Sequence, residues 1–276
     1  MASPWIAALI ALFLWWFSTG AILVVVKRAD RKGASALKSL VWAALPLFGV
    51  GFWLFFETLN SESAASAYLG FLSALAIWGW IELAFLTGVI AGPMQKPCPP
   101  GVRGWERFLR AWGTVAFHEI LLTVALAVIV LYGRDGANSV GVWTYIVLYF
   151  ARVSAKLNLF LGVPKINTDF LPHALSHLPS HFRIAPLNWL FPISVTALSF
   201  AVACWLERLY HADTAHSGVG FALLAAITTL ALIEHWLMVL PLPDERLWKW
   251  MLPTQETLPK PNSRPPTRHE DAAHGL

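Results

Sequence analysis

Charged residues are scarce in this 276-residue chain. Asp, Glu, Lys and Arg make up 13% of it, whereas a soluble domain has roughly 25%. Cysteine is scarcer still: Cys98 lies in a polar connection and Cys204 in an apolar run, so neither a disulfide nor a zinc framework is predicted. The sequence shows no Gly-rich phosphate loop, no Ser-His-Asp order, no adjacent His-His pair and no obvious internal repeat. The net charge of +4 is scattered between apolar runs, which gives no support for nucleic-acid binding.

Apolar residues are abundant instead, at 57% of the chain with 15 Trp and a mean hydropathy of +0.58. A membrane-spanning helix needs about 20 mostly apolar residues. Seven stretches qualify, and they predict an all-α, polytopic membrane bundle of about seven transmembrane helices. The stretches are 5–26, 39–59, 67–91, 112–132, 140–162, 187–206 and 217–241.

The basic residues are distributed unevenly between alternate connections. Eighteen of the twenty Lys and Arg fall on one side, and only Arg134 and Arg208 fall on the other. Because basic residues accumulate on the cytoplasmic side of membrane proteins, the N-terminus is predicted outside and the C-terminus in the cytoplasm. Residues 1–252 then form the transmembrane domain. Residues 253–276, rich in proline and charge, are predicted to be a disordered cytoplasmic tail.

Two dipeptides place acid and imidazole inside apolar runs. His118-Glu119 lies in the fourth predicted span and Glu234-His235 in the seventh, which runs in the opposite direction. The order of His and Glu is reversed between the two dipeptides, and so is the direction of the two helices. Both histidines are therefore predicted on the cytoplasmic side of their neighbouring glutamates. At a rise of about 1.5 Å per residue, both imidazoles are predicted roughly 9 Å deep.

Further polar residues are expected at similar depth. Glu82, in the third span, is predicted about 15 Å from the inner end of its helix. In the cytoplasmic connection, "LPHALSHLPSHF" spaces three histidines four residues apart. Pro172 suits a first helical turn, so His173 and His177 are predicted to share a helix face, whereas Pro179 strains a continuation to His181. The segment is expected to fold back over the inner mouth of the bundle.

Buried acids in a membrane normally face the bundle interior and pair there. Carboxylates and neutral imidazoles from facing helices are also the ligands of two-metal carboxylate sites. One hypothesis is therefore a transition-metal site, with iron as a candidate. Its predicted ligands are Glu82, His118, Glu119, His173, His177, Glu234 and His235.

Several other interpretations of this set stay open. The Glu and His side chains can act as structural hydrogen bonds between helices, form a proton path, or supply an axial histidine to a chlorophyll-type magnesium. The Glu-x-x-His spacing of soluble di-iron bundles is absent, and only part of a desaturase-type histidine box is present. Arg152 and Lys156, four residues apart near the inner boundary, are interpreted as snorkelling to lipid headgroups, the alternative being contact with a partner or an anionic substrate.

Three segments carry a resemblance to a known family. "WWFSTG" near the start, "ARVSAKLNLFLGVPKINTDFLPHALSHLPSHF" at 151–182 and "EHWLMVLPLPDERLWKW" at 234–250 resemble the PuhE-type family, photosynthetic complex assembly protein 2. The resemblance covers the chain to about residue 252. It implies a multi-pass protein of the cytoplasmic (inner) membrane of a phototrophic bacterium, and it implies no reaction and no catalytic residues.

The resemblance and the buried Glu and His residues together lead to two main functional hypotheses. In the first, the protein assists assembly of the photosynthetic reaction centre and core light-harvesting complex, or its bacteriochlorophyll supply, by holding pigment or escorting a subunit. In the second, it is a metal-dependent, di-iron-like membrane enzyme that modifies a tetrapyrrole, quinone, carotenoid or lipid. A carrier of protons or small molecules ranks last, because no repeat is visible. Expected partners are membrane lipid, reaction-centre or core light-harvesting subunits, and pigment.

Overall fold

The structure, a computed structural model, describes residues 3–166, 168 and 171–240. Helices dominate these residues, and the only β feature among them is an isolated bridge between Val163 and Ile184. The predicted tail at 253–276 lies outside the described residues. The seven α-helices are α1 (Pro4–Asp30), α2 (Ala34–Thr58), α3 (Ala64–Leu86), α4 (Gly104–Gly133), α5 (Val140–Leu161), α6 (Leu190–Tyr210) and α7 (Ala215–Leu237).

Six of these helices are long and apolar enough to cross a membrane. The exception is α5, whose second half carries Arg152, Lys156 and Asn158. The all-helical membrane architecture is therefore confirmed. The count of seven spans and the orientation of the termini stay predictions.

The centre of the bundle is formed by α3 and α7, with α5 packed against both. In their most apolar 18-residue windows, 67% of α3 and 61% of α7 is buried, against 17% for α1, α2 and α6. Glycines permit the close packing around α5. A Cβ on Gly141 would lie 2.9 Å from the carbonyl oxygen of Gly70 in α3, and one on Gly220 of α7 would lie 2.7 Å from Val140. Small residues at crossings are typical of membrane helices.

The connection between α3 and α4 packs into the side of α4. Gly88, with φ +74°, ends the α3 region, and Gly92 then approaches α4 closely. The backbone N–H of Met94 donates to the Gly113 carbonyl, and the N–H of His118 donates to the Ala91 carbonyl. A Cβ on residue 92 would lie 2.2 Å from that Gly113 oxygen, so this position requires glycine. The predicted third span therefore extends too far, since the helix stops at Leu86.

The connection between α5 and α6, residues 162–166, 168 and 171–189, which we call the inner connection after its predicted side, folds back against one end of the bundle. The predicted helix from Pro172 is replaced by two short 3₁₀ turns, His173–Leu175 and Leu178–His181. Arg107 of α4 holds this segment in place: its guanidinium donates to the carbonyl oxygens of Phe160 and His181, at 3.1 and 2.8 Å. The segment thus covers the bundle where α4 begins and α5 ends.

Candidate functional site

One helix, α5, contacts the polar residues of three others. Arg152 reaches Glu82 on α3, Ser154 reaches His235 on α7, and Lys156 reaches Glu119 on α4. Arg152 and Lys156 lie four residues apart and share a face of the helix, whereas Ser154 faces the other way. The polar groups of α3, α4 and α7 are therefore joined through α5.

Glu82 is shared between a cation and an imidazole. Its Oε2 accepts a hydrogen bond from the Arg152 guanidinium at 2.9 Å, and its Oε1 lies 3.7 Å from His118 Nε2, too far for a hydrogen bond. The His118 side chain is fully buried, its ring centroid is 4.4 Å from that of Phe85, and neither ring nitrogen has a partner in the described structure. Buried polar groups of this kind commonly have an internal water as partner.

Glu119 forms an ion pair with Lys156. The Lys156 ammonium donates to Glu119 Oε1 and lies 5.4 Å from the centre of the Phe85 ring. Both side chains are largely buried, with 21% and 16% exposure. The interpretation of Arg152 and Lys156 as snorkelling side chains is therefore wrong, because both point into the bundle, where carboxylates compensate their charge.

His235 has both ring nitrogens engaged. Nδ1 lies 2.8 Å from the Ala231 carbonyl oxygen, and Nε2 lies 2.9 Å from the Ser154 hydroxyl. Because a carbonyl only accepts, Nδ1 carries the hydrogen, and Nε2 of the neutral ring accepts from Ser154. His235 thus acts as a hydrogen-bonded link between α7 and α5.

Glu234, the neighbour of His235, points elsewhere. Its Oε1 accepts a hydrogen bond from the Trp15 indole nitrogen at 3.0 Å, which ties α7 to α1. The ionisable groups close enough to act on it are Arg152 and Glu82. Arg152 already pairs with Glu82, so Glu234 lacks a cation of its own among the described ion pairs.

The three histidines of the inner connection are divided. His173 is exposed; its backbone N–H donates to Asp30 at 3.2 Å, and its carbonyl oxygen accepts from the backbone N–H of Ser176. His177 and His181 are buried, and the Nε2 atom of each has no hydrogen-bond partner in the described structure. Burial lowers the pKa of both imidazoles, and the positive charges of Arg107 and Arg110 lower that of His181 further. His173 and His177 do not share a helix face.

The seven predicted ligands therefore fall into separate groups. Glu82 lies beside His118, whereas the side chains of Glu119, Glu234 and His235 each bond to a different partner, as described above. Across residues 3–166, 168 and 171–240, no three His, Cys, Asp or Glu side chains are grouped so as to hold a metal ion. Two of the three carboxylates are already compensated by cations. The metal centre stays a prediction.

A cavity of about 850 Å³ lies between α4 and α5 and continues under the inner connection. This volume is within the range of small-molecule sites, roughly 300–1,000 Å³. The ion pair of Glu119 and Lys156 lies in its wall. Two further lining residues, Ile120 and Val124, are 51% and 53% exposed on α4, so the cavity opens sideways between the two helices. The remaining lining is mostly aliphatic and aromatic, including Phe108, Trp112, Val153, Leu157, Leu178 and Phe182.

A second cavity of about 260 Å³ lies between α1, α3, α5 and α7. It shares three lining residues with the first: Arg152, Ala155 and Glu234. The two cavities therefore meet at these residues, which we call the neck. Glu234 is exposed, and it lines both cavities.

The part that α5 plays in the site is not predicted from the sequence. Arg152 and Lys156 were available as a signal, because two cations four residues apart within an apolar run match two buried glutamates on other helices. No sequence signal marks Trp15. Its partner Glu234 is 219 residues away, and in the sequence Trp15 looks like any other Trp of an apolar run.

The chain is similar to known proteins, and this similarity identifies its family. A protein of Rhodobacter capsulatus described as "Uncharacterized 30.4 kDa protein in puhA 5'region" is 53% identical over 256 residues, which cover 93% of each chain. No solved structure matches the chain. The model of the family described as "Protein of unknown function (DUF3623)" matches residues 1–258. The chain, a helical membrane bundle with a lateral cavity beside α5, belongs to this DUF3623 family.

Proposed function

We propose that the protein is an integral membrane factor that assists assembly of the photosynthetic reaction centre and core light-harvesting complex by holding bacteriochlorophyll. The observation that carries the proposal is the apolar cavity of about 850 Å³ that opens sideways between α4 and α5. A pigment that is poorly soluble in water needs such a site in the plane of the membrane. The pigment's carbonyl groups would meet the polar side chains of the cavity wall.

The relative supports the photosynthetic part of the proposal. It comes from a phototrophic bacterium, Rhodobacter capsulatus, and its description places it in the 5' region of puhA. On this proposal the protein lies in the cytoplasmic membrane of a phototroph. Its partners there are pigment and the reaction-centre or core light-harvesting subunits.

The geometry favours a binding factor over a metal-dependent enzyme. Glu82 and Glu119 would have to leave Arg152 and Lys156 before they could bind a metal, and these cations, which are 37% and 21% exposed, would then lose their carboxylates. Loss of a carboxylate partner leaves a partly desolvated charge uncompensated, which is unfavourable. A site that holds an intact pigment requires no such exchange.

Complementation tests the proposed function. A Rhodobacter capsulatus strain without the gene of the relative should assemble less reaction centre and core antenna, with no accumulation of a pigment precursor. The wild-type chain should restore the yield, measured from membrane absorption spectra and native gels. Accumulation of a biosynthetic intermediate in the deletion strain would instead indicate an enzyme.

A matched pair of variants connects the yield to the cavity. Ala155 lines both cavities, whereas Ala43 is exposed on α2. Ala155→Phe should fill the neck and lower the yield, while Ala43→Phe should restore it fully. Equal complementation by the two variants, at equal protein levels, would contradict a role for the cavity.

A further inference from the structure

The neck between the two cavities carries an unbalanced set of ionisable groups. Arg152 pairs with Glu82 and Lys156 pairs with Glu119, so both cations are compensated. Glu234 is the third carboxyl, and its described hydrogen bond comes from a neutral donor, the Trp15 indole. With Arg152, its partner Glu82 and Glu234 all ionised, the neck would carry one excess negative charge beside two mostly apolar cavities.

A carboxylate without a cation is costly in an apolar environment, and taking up a proton removes that cost. A protonated Glu234 has a defined hydrogen-bond pattern. Its carbonyl oxygen Oε1 accepts from Trp15, and its Oε2–H becomes a donor. Because Glu234 lines both cavities, that donor is available to a molecule that occupies the neck.

The charge balance also selects among occupants. Once Glu234 is protonated, the neck is neutral, because its cation Arg152 is compensated by Glu82. A third cation in the lining of the first cavity, Lys165, belongs to the inner connection, where its backbone N–H donates to Met238. An occupant with a free carboxylate would bring an uncompensated charge into the neck, whereas a neutral occupant with carbonyl oxygens would accept the hydrogen bond.

We propose that the neck recognises a neutral, carbonyl-bearing tetrapyrrole, in which a carbonyl oxygen accepts a hydrogen bond from protonated Glu234 while Trp15 fixes the position of the carboxyl. The inference rests on the proposed function, which it deepens: the protein takes the esterified pigment and rejects the free acid. Glu234 is here a specificity-determining residue.

The test compares two probes that differ in one charge. Bacteriochlorophyllide a and its methyl ester share the macrocycle and lack the long tail, so their difference in binding reports the carboxylate alone. Both are titrated into the purified full-length protein in detergent micelles, with pigment absorption and fluorescence as readouts. We expect the methyl ester to bind about tenfold more tightly or better. Equal or tighter binding of the free acid would overturn the proposal.

Variants of Glu234 test the hydrogen bond. Glu234→Gln keeps an N–H donor and should retain methyl ester binding within about threefold, whereas Glu234→Leu should lose about tenfold. Glu207→Gln, at an exposed acid of α6, is the control and should leave binding unchanged. If the Leu variant fails to fold, infrared difference spectra of wild type and Glu234→Gln decide. The wild type should show a carboxylic acid C=O stretch that shifts when the ester binds, and absence of that band would overturn the proposal.

The two tests fail in different ways. If the wild-type chain does not restore complex assembly, the proposed function falls, and the selectivity of the purified protein is still measured. If assembly is restored equally well by Glu234→Leu and the two probes bind alike, the neck proposal falls and the assembly function stands.

Discussion

The Arg152 guanidinium on α5 donates a hydrogen bond to the Glu82 carboxylate on α3 across 2.9 Å. Through this contact, together with the pair of Lys156 and Glu119, two cations of one helix are each matched to an acid of another. The position of α5 is thus specified by charge as well as by packing. Other placements of α5 would leave buried charges without partners.

Neutralising Glu82 should destabilise the protein by about 1.5–3 kcal/mol. Glu82→Gln preserves the shape of the side chain but leaves the Arg152 charge without its carboxylate, and hydrogen bonds to charged groups contribute about this much. The measurement is unfolding of the purified protein by added SDS in mixed micelles. Arg152→Met in the Glu82→Gln background should recover part of the loss, since the double variant contains no unpaired charge. Additive losses in the two single variants would show that the pair is not coupled.

Replacing Gly92 by alanine should be among the most damaging single-methyl changes in the chain. The new Cβ would lie 2.2 Å from the Gly113 carbonyl oxygen and 2.7 Å from the Thr114 carbonyl carbon, so the connection must move away from α4. We expect a loss of about 1–3 kcal/mol or more, the cost of overpacking. Gly49→Ala is the matched control. A Cβ there meets nothing within 4 Å, and alanine favours the helix by up to about 1 kcal/mol.

Acid should weaken the inner connection through His177 and His181. Burial lowers the pKa of both imidazoles below the ordinary value of 6.5, so below pH 6.5 the unfolded chain binds more protons than the folded one. Stability therefore falls as the pH drops below 6.5, by at most about 1.4 kcal/mol per pH unit for each histidine. Apparent melting temperatures between pH 7.5 and 5.5 measure this slope.

Two variants check the source of that pH dependence. The double variant His177→Asn/His181→Asn should show a smaller slope whatever its absolute stability. His173→Asn should keep the wild-type slope, because the His173 side chain is exposed and is not desolvated on folding. A slope that survives the double variant would place the acid-sensitive groups elsewhere.

The predicted orientation has a direct test. In a Cys98→Ser/Cys204→Ser background, single cysteines are placed at Lys32 and Glu62, which are exposed at opposite ends of α2. With the N-terminus outside, a membrane-impermeant maleimide added to spheroplasts should label position 62 and spare position 32 until the membrane is opened. The reverse pattern would invert the topology.

The helices could be predicted from the sequence because apolar length alone marks them, but their ends could not. The start of α4 lies at Gly104, eight residues before the predicted 112, because the turn with Glu106 and Arg107 is helical without being apolar. The end of α3 at Leu86 depends on Gly88 and on the fit of Gly92 against α4, a contact between distant segments. Such contacts leave no periodic signal in the sequence.

The residue types of the candidate site could be predicted from the sequence, but the pairs that these residues form could not. Buried acids in a membrane need partners, which correctly placed Glu82 and Glu119 in the interior. Whether each partner would be a metal, a histidine or a cation depends on which helices are neighbours. The structure inserts α5 among α3, α4 and α7, so Arg152 and Lys156 are the cations that pair with Glu82 and Glu119.

The opening between α4 and α5, beside Ile120 and Val124, determines the route by which a bound molecule enters and leaves the cavity. A guest that enters or leaves there stays within the hydrocarbon layer and never crosses an aqueous phase. Delivery to a recipient becomes a two-dimensional search, and its rate depends on the surface density of the two proteins in one bilayer. Dilution of the membranes with added lipid should therefore slow the transfer, whereas dilution of the suspension with buffer should not.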